Sequence, residues 1–251
     1  MSAWLFDLGN TRLKFARRME AGDAGPVGSI DHRAGGDFAT LPDEVRGDVA
    51  WVAAVASPAL QAALTAELAS RFPRISFART LAHCGGLRIA YAEPARLGVD
   101  RFLSLLAARE AGMPVLVCGV GTALTLDLLD AAGRHRGGRI APSPTLMRES
   151  LHARAAQLPV QGGGYVEFAD DTLDALASGC EGAALALIER SRAQACSMLG
   201  TMPRLWLHGG GAGALSPQLP EAGIKPALVL DGLARWAALG DGAGPALPGC
   251  G

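Results

Sequence analysis

Paired cysteines are missing from this chain of 251 residues: Cys84, Cys118, Cys180, Cys196 and Cys250 are scattered, odd in number and form no C-x-x-C pair. That supports neither a disulfide framework nor a zinc site, so reduced thiols in a cytoplasmic protein are expected. The five histidines show no ligand spacing either. Charge of one sign is also scarce, since 23 Lys and Arg stand against 24 Asp and Glu. A net charge of −1 gives no electrostatic footprint for nucleic acid or an anionic membrane, and neither partner is expected. No apolar run approaches the roughly 18 residues of a membrane span. The N-terminus lacks a basic stretch followed by a long apolar run, so no signal peptide is expected. What remains is a soluble globular protein, long enough for one large domain or two small ones.

The informative stretch is the start, Trp4-Leu5-Phe6-Asp7-Leu8-Gly9-Asn10-Thr11-Arg12-Leu13-Lys14-Phe15. An apolar strand reaches a Gly-Asn-Thr turn and leaves as an alternating strand, with Leu13 and Phe15 facing one way and Lys14 the other. Gly-Asn between two β-like runs is a hairpin signal, because both residues tolerate the left-handed backbone of a tight turn. Asp7 can be read in two ways. It caps the turn of an ordinary hairpin, or it stands beside free backbone N–H groups and a hydroxyl as part of a site for a phosphate and its metal ion.

Further along, Val49–Val55 is a continuous apolar run, and Ser57-Pro58 opens a helix over Ala59–Arg71 with Ser57 as its N-cap. Ile75–Phe77 and Gly85–Tyr91 read as short strands. Arg96-Leu97-Gly98-Val99-Asp100-Arg101 leads into a helix that ends at Gly112-Met113-Pro114. Asp100 is then either an ordinary helix-start acid, favoured by the macrodipole, or a functional carboxylate. Strand, strand, helix, strand suggests a mixed sheet with helices packed on it.

Val115–Asp127 repeats the opening: an apolar strand, a Gly-Thr turn and an alternating strand. Gly121 matches Gly9, Thr122 matches Asn10, and Gly119 falls opposite Asp7. Two such hairpins more than a hundred residues apart indicate an internal repeat, one hairpin opening each half. The division is expected near Met113-Pro114, giving domains 1–113 and 114–239, with a disordered tail over 240–251. Gly137-Gly138 is expected before a strand and Pro142-Ser143-Pro144 after it, with a helix from Leu146 to Ala156. Asp171 reads as the N-cap of a helix carrying Leu173 and Leu176, and a long helix follows from Glu181 to Leu199. The strand Arg204–His208 ends in Gly209-Gly210-Gly211, a turn that lets a ligand approach the backbone closely. Asp231–Trp236 reads as a terminal helix.

Four motifs come in order: Asp7-x-Gly9-Asn10-Thr11-x-x-Lys14; Gly98-Val99-Asp100-Arg101; Gly121-Thr122-Ala123-x-Thr125-x-Asp127; and Gly137-Gly138-x-Ile140-x-Pro142. The chain resembles the type III pantothenate kinases (the Bvg accessory factor family) of the actin-like ATPase superfamily, over nearly its whole length to about Leu239. The resemblance implies an α/β fold of two actin-like (ribonuclease H-like) domains, each a mixed β-sheet flanked by helices, with a nucleotide cleft between them. It implies ATP-dependent phosphorylation of pantothenate to 4'-phosphopantothenate, the first step of coenzyme A biosynthesis. The alternatives are a catalytically weak nucleotide-binding accessory protein on the same fold and a related small-molecule kinase.

By the same resemblance Asp7, Leu8, Gly9, Asn10, Thr11, Arg12, Leu13 and Lys14 form the ATP loop, with Asp7 near Mg²⁺, and Thr122 also contacts ATP. Asp100 is the general base. Tyr91, Gly98, Val99, Asp100 and Arg101 hold pantothenate, Thr172 reaches substrate across a homodimer interface, and Gly209-Gly210 lies against the adenosine. Family members carry an Asp where this chain has Gly119. That Asp helps hold a monovalent cation, potassium or ammonium, and glycine has no side-chain oxygen to offer one.

Overall fold

The computed structural model describes residues 2–20, 22–32 and 37–241. The chain forms two compact units. One comprises the described parts of Met1–Glu110, Gly133–His135 and Ala227–Gly251, and the other Ala111–Ala132 and Arg136–Pro226.

In the first unit, strands β1 (Ala3–Leu8), β2 (Arg12–Arg17), β3 (Gly28–Asp31), β4 (Val49–Ala54) and β5 (Ile75–Phe77) form a sheet in the order β3-β2-β1-β4-β5. β1, β2 and β3 pair antiparallel, while β4 runs parallel to β1 and β5 parallel to β4. Helix α1 (Pro58–Ala69) connects β4 to β5. Its Ser57 cap accepts the Leu60 N–H at 3.4 Å, and Pro58 follows at the first helical position, where its missing N–H costs nothing. Period-two alternation along β1 sends Phe6 and Leu8 to one face, where they meet Leu13, Phe15, Leu64, Leu68 and Phe72. The Phe6 and Phe72 rings pack edge-on at 5.7 Å.

Leu5 and Asp7 consequently point to the opposite face. Helix α2 (Val99–Ala108) and the last helix, Leu228–Asp241, pack on that side, against β4 and, for the last helix, β1 as well. These two helices approach so closely at Gly232 that a Cβ there would run into the Leu103 carbonyl. Trp51 of β4 meets Trp236 of the last helix edge-on at 5.6 Å. This packing places a late segment of the chain in the first unit. Gly240 and Asp241, expected in a disordered tail, are the end of that helix, and residues 242–251 lie outside the described residues.

The span Gly85–Tyr91, read from the sequence as one strand, is instead part of a small hairpin of β6 (His83–Cys84) and β7 (Leu87–Arg88). Gly85 and Gly86 turn it with φ of 53° and 77°, the two positive values that a two-residue type I′ turn demands.

The second unit repeats the first. Strands β8 (Val115–Val120), β9 (Ala123–Leu129), β10 (His135–Pro142), β11 (Arg204–His208) and β12 (Gly223–Ile224) lie in the order β10-β9-β8-β11-β12. β8 pairs antiparallel with β9 and parallel with β11, and β11 pairs parallel with β12. Both sheets thus share one strand order, the structural form of the repeat seen in the two hairpins. Gly137 and Gly138 lie within β10, not before it.

Helices α3 (Pro144–Arg154), α4 (Thr172–Leu199) and α5 (Ala212–Leu215) complete this unit. Ala184, Leu185, Ile188 and Ala195 of α4 cover a core of Leu116, Cys118, Leu126, Leu205 and Leu207. The two helical segments expected after Asp171 are one continuous helix of 28 residues. It ends at Gly200, whose φ of 69° gives the left-handed cap that favours glycine.

Candidate active site

In the first hairpin, Asp7 stands opposite Lys14 across the β1–β2 ladder. Its carboxyl is pushed up from 3.8 to about 7, first by burial and then by the charge of Asp100, with Lys14 pulling the other way. Leu8 pairs with Leu13, which leaves Gly9, Asn10, Thr11 and Arg12 as the loop, closed by a bond from the Gly9 N–H to the Arg12 carbonyl at 3.0 Å. The left-handed backbone expected of Gly-Asn is absent: every described residue with positive φ is a glycine, and neither Gly9 nor Gly121 is among them. The tips are longer than the two-residue turn that requires such values, so ordinary φ angles suffice.

The conformation therefore does not require glycine at either tip. A Cβ on Gly121 would come no nearer than 3.9 Å to other protein atoms, and one on Gly9 no nearer than 3.4 Å. Glycine in both places leaves the backbone open to a group from outside the chain. His32, buried beneath the first tip, braces it through Nε2 and the Gly9 carbonyl at 3.0 Å, and its N–H donates to the Thr11 carbonyl at 3.1 Å.

Gly98 caps α2 without a side chain, and the reason is geometric: its Cβ would lie 2.6 Å from Oδ1 of Asp100. The Asp100 carboxylate thus folds back over the N-terminal turn of its own helix, where the macrodipole favours a negative charge. Next to it, Arg101 is buried at 7% exposure, and its Nη1 donates to the Tyr91 hydroxyl at 3.3 Å. The guanidinium carbon lies 5.9 Å from the centre of the Tyr91 ring, within cation–π range. His135 stacks on Tyr91 at 6.0 Å and 20°, and its Nδ1 accepts the Ala90 N–H at 3.4 Å. Tyr91 is therefore fixed by two neighbours, one of which, His135, the sequence did not single out.

In the second hairpin, Val120 pairs with Leu124, and the Gly121 N–H donates to the Ala123 carbonyl at 2.9 Å. Ser143 ties this tip to α3, donating through Oγ to the Thr122 carbonyl at 3.0 Å while accepting the Leu146 N–H at 3.2 Å. Ser-Pro ahead of a helix is an N-cap signal, but nothing in the sequence tied it to the hairpin. The Gly209–Gly211 turn wraps the end of β8: the Gly211 N–H donates to the Val120 carbonyl at 2.9 Å, and a Cβ on Gly209 would strike that same carbonyl. Gly209 has φ of 95°, so here glycine is needed by the backbone itself. Burial pushes the Cys118 thiol up to about 12, which removes it as a nucleophile.

Thr172 is the exposed first residue of α4. Its neighbour Asp171 is the expected N-cap, with Oδ1 accepting from the N–H groups of Leu173 at 2.7 Å and Asp174 at 3.0 Å.

The first unit thus brings Asp7, Lys14 and Asp100 to one end of β1 and α2, with Tyr91 and Arg101 in the same unit. The second unit carries Thr122, Gly119 and Thr172. The fold is similar to that of solved structures at low sequence identity. One is a protein from Campylobacter jejuni described as a conserved Baf family transcriptional activator, with a TM-score of 0.63 and 17% identity over 96% of this chain and 100% of that one. Another is a protein from Listeria monocytogenes described as an N-acetylmannosamine kinase, with a TM-score of 0.52 and 14% identity over 97% and 100%. The fold is the actin-like ATPase and sugar-kinase fold. A type III pantothenate kinase from Stenotrophomonas maltophilia (strain K279a) is 60% identical over 238 residues, 94% of this chain and 98% of its own length. The family model for type III pantothenate kinase matches residues 4–194, and the chain belongs to that family.

Proposed function

We infer that this chain transfers the γ-phosphoryl group of ATP to the primary hydroxyl of pantothenate, giving 4'-phosphopantothenate on the way to coenzyme A. Family membership over nearly the full length supports the reaction. The observation in the molecule that carries the reading is the pair Asp7 and Asp100: Asp7 is a buried carboxyl whose pKa is raised first by burial, and the charge of Asp100, at the head of α2, raises it further. An arrangement of that kind is stabilised by a cation and suits a site where phosphate, metal and hydroxyl meet.

Asp7 is the carboxylate for the divalent ion of ATP. Among the described residues no three His, Cys, Asp or Glu side chains cluster around a common point. That donor set fits Mg²⁺, which keeps several waters and binds through one or two carboxylates plus substrate phosphates. Bound there, the ion neutralises charge on the phosphates. Gly9, Asn10 and Thr11 offer backbone N–H groups and a hydroxyl to the phosphates, Lys14 adds positive charge, and Thr122 adds a contact from the second hairpin.

Asp100 takes the proton of the attacking hydroxyl. Its carboxylate is held over Gly98, at the head of α2, and needs only hydrogen-bond reach of the alcohol. Arg101 pairs with the pantothenate carboxylate, and its fixed guanidinium under Tyr91 suits bidentate recognition. Phosphoryl transfer asks mainly for alignment and charge neutralisation, and these residues supply both.

Thr172 is read as a pantothenate contact made across a homodimer. Leu151, Val166, Phe168 and Leu173 support that assembly as exposed apolar side chains of the second unit, Phe168 at 99% exposure. The protein acts in the cytoplasm, in keeping with cysteines whose number and spacing in the sequence suggest no disulfide framework. No helix among the described residues is long and apolar enough to cross a membrane. A coupled ADP-release assay tests the reaction. Release that requires pantothenate supports it, and release of equal rate without pantothenate contradicts it.

A further inference from the structure

The row of residues across each sheet at the level of Asp7 shows what replaced the missing acid. In the first sheet, neighbouring strands place Lys14, Asp7 and Ala53 side by side. In the second they place Thr125, Gly119 and His208 side by side. Residues opposite one another on adjacent strands share a face, so each row is one local surface. The first row has a carboxylate at its centre and a small neighbour on the parallel strand. The second has no side chain at its centre and an imidazole on the parallel strand.

That imidazole fills the centre. A Cβ built on Gly119 would lie 2.7 Å from Oγ1 of Thr125, 2.9 Å from Nε2 of His208 and 3.2 Å from its Cε1. Even alanine would force one of them aside, and an aspartate could not reach outward without displacing the ring. The ring is set in place by its chain neighbours, because the Gly209–Gly211 turn is locked onto the Val120 carbonyl. The space where a carboxylate would hold a potassium or ammonium ion is therefore taken by a nitrogen heterocycle. A hard monovalent cation prefers oxygen ligands, and the carboxylate that would favour it is absent.

We propose that the second hairpin of this chain has no monovalent-cation site, that the His208 imidazole stands in its place, and that turnover is independent of potassium and ammonium. The inference rests on the kinase reading for its activity readout but not for its structural one. The experiment is a cation series at constant ionic strength: potassium, ammonium and tetramethylammonium chlorides, read both by the melting temperature of the protein with Mg²⁺ and a non-hydrolysable ATP analogue and by pantothenate-dependent turnover. The expected result is turnover within twofold and melting temperature within about 1 °C across the series. A tenfold activation by potassium or ammonium over tetramethylammonium, or a rise of several degrees, would overturn the proposal. Absence of turnover in all three salts would fail the kinase reading instead, and the melting series would still decide this one. The double variant Gly119→Asp with His208→Ala restores an acid and clears the ring from its place. It should gain stabilisation by potassium that wild type lacks, and a folded double variant indifferent to potassium would contradict the role assigned to the Gly119 and His208 pair.

Discussion

The Asp7 carboxyl, already lifted by burial, is lifted further by the charge of Asp100 and reaches about 7 against the pull of Lys14. Period two puts Asp7 on the helix-bearing face of β1, and the start of α2 carries Asp100 within electrostatic range. Two acids so placed destabilise each other until a cation arrives.

This coupling predicts the pH dependence of the metal-free protein. The folded pKa of Asp7 lies above its unfolded value, so the folded state binds the proton more tightly. The favourable contribution is complete below about pH 4 and is lost as pH rises through 7, with an upper bound of about 4 kcal/mol from the shift. Denaturant midpoints measured from pH 4 to 8 should fall with pH in wild type from this group and flatten in Asp7→Asn. Asp100→Asn should move the fall to lower pH. Parallel curves for wild type and Asp7→Asn would contradict the assignment.

Gly98→Ala tests the placement of the base. The new methyl group would displace the Asp100 carboxylate, because a Cβ lies 2.6 Å from its Oδ1. In this variant kcat should fall at least tenfold with the KM for ATP little changed. Loss of the glycine cap should cost stability on the order of 1 kcal/mol. Unchanged kcat would show that the position of Asp100 does not matter to the reaction.

Tyr91→Phe removes the hydroxyl that accepts from Arg101 and leaves the ring stacked on His135. The KM for pantothenate should rise severalfold, with stability reduced by about 1 kcal/mol. A larger effect on the KM for ATP than on that for pantothenate would contradict the assignment of Arg101 and Tyr91 to the acceptor.

Thr172 and its cap separate function from folding. Asp171→Ala should destabilise α4 by about 1 kcal/mol through loss of two capping bonds. Thr172→Ala should leave the melting temperature unchanged and raise the KM for pantothenate. Phe168→Glu, read by sedimentation, should dissociate the proposed dimer and mimic Thr172→Ala in KM. A monomeric wild type would remove Thr172 from the site.

Much of this was legible in the residues because it is local. The apolar run from Trp4, the Gly-Asn-Thr turn and the alternation in Arg12–Phe15 give the hairpin, Ser57-Pro58 gives the start of α1, and Asp171 gives the start of α4. The echo of Asp7-x-Gly9 in Gly119-x-Gly121 gives the repeat that the two sheets display. What the sequence did not yield depends on distant packing. His208 is nearly ninety residues from Gly119 in sequence and meets it only because β11 lies beside β8. His135 reaches Tyr91, and the last helix reaches α2, through contacts that no local pattern encodes. The first tip lacks the left-handed backbone because a Gly-Asn pair signals a two-residue turn, whereas the ladder pairing of Leu8 with Leu13 leaves a longer one.

Pantothenate as the acceptor is tested directly by mass analysis of pantothenate after incubation with the protein, Mg²⁺ and ATP. Pantothenate should be converted to a species heavier by one phosphoryl group, in step with ADP and strongly reduced in Asp100→Asn. Unmodified pantothenate alongside ADP and inorganic phosphate would contradict it.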